Sequence, residues 1–128
     1  MNGKNKLLIV EDDKLNQLAY KGFLSKNYDI KICGDVQEFD SALTNDTYDL
    51  FIIDLALNCE KNGIDLIKEL REMDKYWETP IIVVTAYAFR EDRKLSMEAG
   101  ADKFIIKPFD KNSLLDEIQK SLNAAENS

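Results

Sequence analysis

Histidine is absent from all 128 residues. That removes Ser-His-Asp catalysis, histidine metal ligation and a phosphohistidine on this chain. Any chemistry must therefore run on carboxylates, lysine, threonine or a bound metal. Cysteine is scarce: Cys33 and Cys59 form no CxxC pattern, so no metal or redox role is expected of them, and Cys33 is expected to pack in a strand. With two prolines and five glycines there is no Pro/Gly linker, and no repeat or low-complexity tract interrupts the chain. One domain over residues 1–128, with its core at about 6–122, is the expectation. No apolar run is long enough to span a membrane, and the opening Met1-Asn2-Gly3-Lys4-Asn5-Lys6 does not read as a secretory leader. A reduced, cytoplasmic protein is expected. Positive charge is the minority, 17 Lys and Arg against 24 Asp and Glu, for a net charge of −7. That balance argues against direct contact with nucleic acid, which needs a basic face to displace counterions, and against an anionic membrane surface.

What is present is alternation. Short β-branched runs, each ending in polar residues, precede stretches of helical periodicity. The strands are predicted at Lys6–Val10, Tyr28–Cys33, Leu50–Ile53, Ile81–Val84 and Phe104–Ile106. The first helical stretch is expected to turn Leu15, Leu18, Ala19, Gly22 and Phe23 to one face. Four more helices are predicted over 36–45, 64–73, 90–99 and 113–122, with Phe39, Ala42 and Leu43 inward in the second and Leu66, Ile67 and Leu70 in the third. Gly100 is a C-terminal cap signal for the fourth. The strands are nearly all apolar rather than alternating, as in a parallel sheet covered on both faces. This is an α/β, (βα)5 pattern, and the right-handed crossover rule favours an open, doubly wound, flavodoxin-like sandwich of order 2-1-3-4-5.

Ligands of such sheets gather beyond the carboxyl ends of the strands. The residues following the strands are Glu11-Asp12-Asp13, Asp54, Thr85-Ala86 and Lys107-Pro108. Neighbouring strands lie about 4.8 Å apart, so these side chains are expected to meet. Carboxylates clustered this closely repel, and one must protonate or find a cation. Oxygen ligands without histidine or cysteine favour a hard ion, Mg²⁺ or Mn²⁺. Such an ion neutralises charge on a phosphoryl group while a carboxylate oxygen attacks phosphorus; Lys107 would be a second cation and the Thr85 hydroxyl a donor. Each piece also has a plain structural use, a helix cap or a turn. Four strands delivering suitable residues to one edge is what carries the functional reading.

From about Lys6 to Leu122 the chain resembles the receiver domain of two-component response regulators, on Ile9-Val10-Glu11-Asp12, Ile53-Asp54, Val84-Thr85-Ala86 and the run from Ala99 to Phe109. The resemblance implies that Asp54 is the phosphoacceptor, that Asp12 ligates Mg²⁺ directly and Glu11 through water, and that the main-chain carbonyl of Ala56 is a further ligand. Asp13 is assigned to capping. Thr85 and Phe104 would be switch residues, Lys107 the salt-bridging lysine, and Lys107-Pro108 a cis peptide. The expected partners are a sensor histidine kinase or histidine phosphotransfer protein as donor, and a downstream protein reading the face made by the fourth helix, fifth strand and fifth helix. The protein would catalyse only its own phosphorylation and dephosphorylation. Two departures stand out. The family's usual Pro and Gly after the acceptor are replaced by Asn58 and Asn62, with Gly63 one later, so the stretch from Leu55 to Gly63 reads as a loop longer by one residue. Phe104 has no hydroxyl, so a switch there works by ring burial alone. Tyr87, two after Thr85, is expected to shield the phosphoryl group and slow autodephosphorylation.

Two rivals fail on residue type. A haloacid-dehalogenase-like phosphatase needs a second Asp two after the first, where this chain has Ala56. A flavin module would have to place phosphate against Glu11-Asp12-Asp13. A receiver-like interaction module that is not phosphorylated is the remaining alternative, to be tested by Mg²⁺ quenching of Trp77 fluorescence. No output domain is read after Leu122, so a stand-alone receiver or a piece of a larger regulator or hybrid kinase are both expected readings.

Overall fold

A computed structural model of the chain describes residues 3–56, 61–86 and 89–126. The predictions resting on Cys59, Tyr87 and the tip of the loop after Asp54 lie outside the described residues. Five strands and five helices alternate: β1 Lys6–Val10, α1 Lys14–Leu24, β2 Asp29–Cys33, α2 Val36–Asn45, β3 Leu50–Ile53, α3 Gly63–Arg71, β4 Ile81–Thr85, α4 Arg90–Ala99, β5 Lys103–Ile106 and α5 Lys111–Glu126. All ladders are parallel, in the order β2-β1-β3-β4-β5. The predicted architecture and strand order are both found.

Side chains of a strand alternate between faces, and that period builds two cores. Leu8, Val10, Phe51, Ile53, Ile81 and Val83 face Phe39 and Ala42 of α2 and Leu66, Ile67 and Leu70 of α3. The intervening Leu7, Ile9, Leu50, Ile52, Ile82 and Val84 face Tyr20 and Leu24 of α1 and Leu114, Ile118 and Leu122 of α5. Apart from Lys6 at the start of β1 and Thr85 at the end of β4, the strands β1, β3 and β4 are therefore apolar and buried, and each large side chain removed from water contributes roughly 1.5–3 kcal/mol. β2 and β5 are edges and carry exposed residues.

The α1 prediction needs correction. Leu15 and Leu18 are 77% and 62% exposed, Gly22 is exposed, and the inward positions are Tyr20, Phe23 and Leu24. Two helical stripes overlap in this sequence, and the sheet selects the one carrying the larger rings. α5 also extends past Leu122 through Ala124 and Ala125, where helix propensity rather than burial sustains it. Its first turn is capped by Asp110, whose carboxylate accepts from the Ser113 amide at 2.7 Å. α4 ends as predicted at Gly100, whose φ of 123° suits glycine. At that end the Arg71 guanidinium donates to the carbonyls of Gly100, Tyr76 and Thr79 and to the Asp102 carboxylate. This joins α3, the turn before β4 and the α4–β5 turn.

Candidate functional site

The β1–β3 register sets Val10 beside Ile53, and the Asp54 amide donates to the Val10 carbonyl at 3.1 Å. Glu11 and Asp54 are thereby the first residues past two adjacent strands. Both are buried, at 1% and 5% exposure. The Lys107 ammonium lies between them, 2.6 Å from Glu11 Oε1 and 2.7 Å from Asp54 Oδ2. The other oxygens are also engaged: Glu11 Oε2 accepts from the Asp13 amide at 3.1 Å, and Asp54 Oδ1 accepts from the Ala56 amide at 2.9 Å. Each carboxylate is thus held at both oxygens. Burial raises the Glu11 carboxyl above its ordinary range although Lys107 opposes the shift. Burial alone would lower Lys107; its bonds to Asp54 and Glu11 outweigh that and hold the ammonium above its usual value.

β5 carries Lys107 to this place. Thr85 and Ile106 are paired at the end of the β4–β5 ladder, and the Lys107 amide donates to the Thr85 carbonyl at 2.8 Å. Thr85 is fully buried at the end of β4, and the Lys107-Pro108 peptide is cis. Asp13 caps α1, accepting from the Asn16 amide at 2.9 Å, while Asp12 is half-buried beside it. Phe104 sits half-buried one layer below the site, with the Arg93 guanidinium 5.9 Å from its ring centroid. Glu11, Asp54 and Lys107, predicted from three separate strand ends, are in direct contact. Thr85 is tied to that group through the Lys107 backbone.

Three features refine the sequence reading. First, the carboxylate repulsion expected to call for a divalent ion is already met by Lys107, the lysine expected to form a salt bridge here. Among the described residues no three acidic side chains form a metal cage by themselves. Mg²⁺ does not require such a cage, since it takes one or two carboxylates and otherwise keeps water or phosphate oxygens. Second, a Cβ on Gly63 would collide with the Asp54 carbonyl and lie 2.9 Å from Leu55 Cα. Only glycine lets α3 start this close to the acceptor; the displaced Gly was the signal. Third, Trp77 precedes β4 and lies at the opposite end of the sheet from Asp54. It is poorly placed to report directly on a cation there.

The response regulator receiver domain profile matches residues 7–119. Transcriptional regulatory protein CpxR of Klebsiella pneumoniae is 35% identical over 92% of this chain and 49% of its own length. Response regulator ArlR of Staphylococcus saprophyticus is 37% identical over 91% of this chain and 52% of its own. The chain thus spans about half the length of these curated relatives. A CheY-like receiver domain protein from Methanospirillum hungatei superposes with a TM-score of 0.89 at 28% identity, over 98% of both chains. The receiver domain of a sensor histidine kinase from Pseudomonas aeruginosa, with magnesium coordinated in its active-site cleft, superposes with a TM-score of 0.85 at 25% identity, over 94% of this chain and 99% of that one.

Proposed function

The chain belongs to the response regulator receiver domain family, and from that premise we propose that it takes a phosphoryl group from a phosphohistidine partner onto Asp54 in a Mg²⁺-dependent reaction. The observation that carries this is the Lys107 ammonium, held between two buried carboxylates on neighbouring strands. An ionised carboxylate needs no base to act as nucleophile. The Ala56 amide on Oδ1 and Lys107 on Oδ2 fix the orientation of Asp54. An Asp54 carboxylate oxygen bonds to phosphorus as the P–N bond to the donor imidazole breaks, and Lys107 follows the negative charge of the phosphoryl oxygens so delivered. Asp12, Asp54 and the Ala56 carbonyl, with Glu11 through water, are the oxygen donors that would hold Mg²⁺. When bound, the ion neutralises charge on the phosphoryl oxygens. A magnesium-bearing neighbour of the same fold supports that assignment.

The added phosphoryl carries roughly −1.5 to −2 charges. Thr85, tied to Lys107 through the backbone, is drawn toward it, and the Phe104 ring moves into the space released. That biases a pre-existing equilibrium at the surface of α4, β5 and α5. Exposed apolar residues there, Ile106 on β5 and Leu95 on α4, support a downstream protein partner. The net charge of −7 supports no direct nucleic-acid contact by these residues. Among the described residues no helix is long and apolar enough to cross a membrane, which supports a cytoplasmic setting. The donor would be a sensor histidine kinase or a histidine phosphotransfer protein. Incubation with acetyl phosphate and Mg²⁺ should give acid-labile incorporation that Asp54→Asn abolishes. Undiminished labelling of the variant removes Asp54 from the role, and an unlabelled parent favours the interaction-module alternative.

A further inference from the structure

Four residues, Lys107 to Asp110, connect β5 to α5. The start of this connection is fixed by the Lys107 amide on the Thr85 carbonyl, and its end by Asp110 capping α5. Between them Phe109 is gripped from another element. Its ring stacks on Tyr20 of α1, with centroids 5.1 Å apart and planes 26° from parallel. Phe23, one turn further along α1, meets it edge-on at 5.9 Å and 80°. Offset-stacked and edge-to-face pairs of this kind contribute beyond their buried area. Tyr20 is 1% exposed, so its ring has little freedom to leave.

From this three-ring contact we infer that Tyr20 is a positioning residue, acting through Phe109 to hold Lys107 between Glu11 and Asp54. The inference rests on the proposed role of Asp54, but concerns a residue two contacts away from it. Lys107 has a long, flexible side chain and its ammonium must satisfy two oxygens at once. Its backbone is anchored on the β5 side by the ladder. On the other side the next fixed side chain is Phe109, whose partner ring belongs to α1. Burial first, then the negative charge of Glu11 and Asp54, keeps the Tyr20 phenol neutral, so the ring adds no charge of its own. What it contributes is shape. The ring, not the hydroxyl, is the working part.

The test compares Tyr20→Phe with Tyr20→Leu in the whole chain. In the unphosphorylated protein without donor, the NMR signals of the Lys107 ε-methylene protons should be dispersed and single in the parent and in Tyr20→Phe. In Tyr20→Leu they should collapse toward the averaged values of exposed lysines. With acetyl phosphate and Mg²⁺, Tyr20→Leu should lose roughly tenfold in the maximal labelling rate with little change in half-saturating donor concentration, and Tyr20→Phe should restore it. If Tyr20→Leu does not fold, Phe23→Leu tests the same contact, with the same direction expected. Unchanged Lys107 signals in the leucine variant, or a phenylalanine variant as impaired as the leucine one, overturn the inference. Failure of the parent to label would overturn the Asp54 role instead, leaving the Lys107 signals to decide this one.

Discussion

At Lys107 one ammonium balances two buried carboxylates, and among the described residues neither carboxylate forms a second ion pair. Burial makes the pairing consequential, since the groups cannot be rehydrated if their partner is lost. Lys107→Met should therefore lower the unfolding free energy by about 3 kcal/mol in metal-free buffer. Millimolar-range Mg²⁺ should recover part of that loss, because a divalent ion between the oxygens replaces the missing charge. Urea unfolding with and without Mg²⁺ measures both effects. A variant as stable as the parent without metal would mean the carboxylates are better solvated than their exposure indicates. Cys33 shows the opposite residue-scale outcome: burial pushes its thiol up to about 11, as befits the inert packing residue expected from its strand.

The element that sets the acceptor's surroundings is the start of α3. Asn62 and Asp65 form a reciprocal capping box there, with 3.0 and 3.1 Å bonds, which fixes the first turn. Gly63 then passes directly against the backbone of Asp54 and Leu55. Gly63→Ala places a methyl group where the Asp54 carbonyl already sits, and should cost roughly 1–3 kcal/mol as the helix or the acceptor strand shifts. The same shift moves Asp54 relative to Lys107, so labelling by acetyl phosphate should slow as well. A Gly63→Ala variant with parental stability and rate would show that the helix start yields without disturbing β3.

Across the whole molecule, two exposed acids hold the scaffold around the site, one by joining separate elements and one by capping a helix. Asp46, after α2, accepts from the Lys6 ammonium of β1 at 2.5 Å; Asp110 caps α5. The Lys6 bond, and then the Thr47 amide, hold the Asp46 carboxyl below its ordinary value of 3.8. The Ser113 amide and hydroxyl do the same for Asp110. A carboxyl whose folded value is lowered binds fewer protons folded than unfolded. The stability it lends is thus present above the ordinary carboxylate range and is lost as pH falls through the lowered value. The stability difference between the parent and Asp46→Asn or Asp110→Asn, from urea midpoints, should be larger at about pH 6 than at about pH 2.5. A difference independent of pH would show that neither interaction depends on the carboxylate charge.

The order of strands and helices was legible because β-branched runs and helical periodicity are local signals, and so was the gathering of Glu11, Asp54, Thr85 and Lys107. In a parallel sheet the residue after each strand must emerge at one edge, whatever the loops do. The α1 face was not legible, because Leu15 and Leu18 satisfy the same period as Tyr20 and Leu24 and only packing against β1 and α5 separates them. Gly63 against the acceptor backbone and the ring contact on Phe109 were equally out of reach. These are distances between elements remote in sequence, set by the register of the sheet and the close packing of helices on it. Residue pattern determined which groups meet; the folded packing decided how each is held.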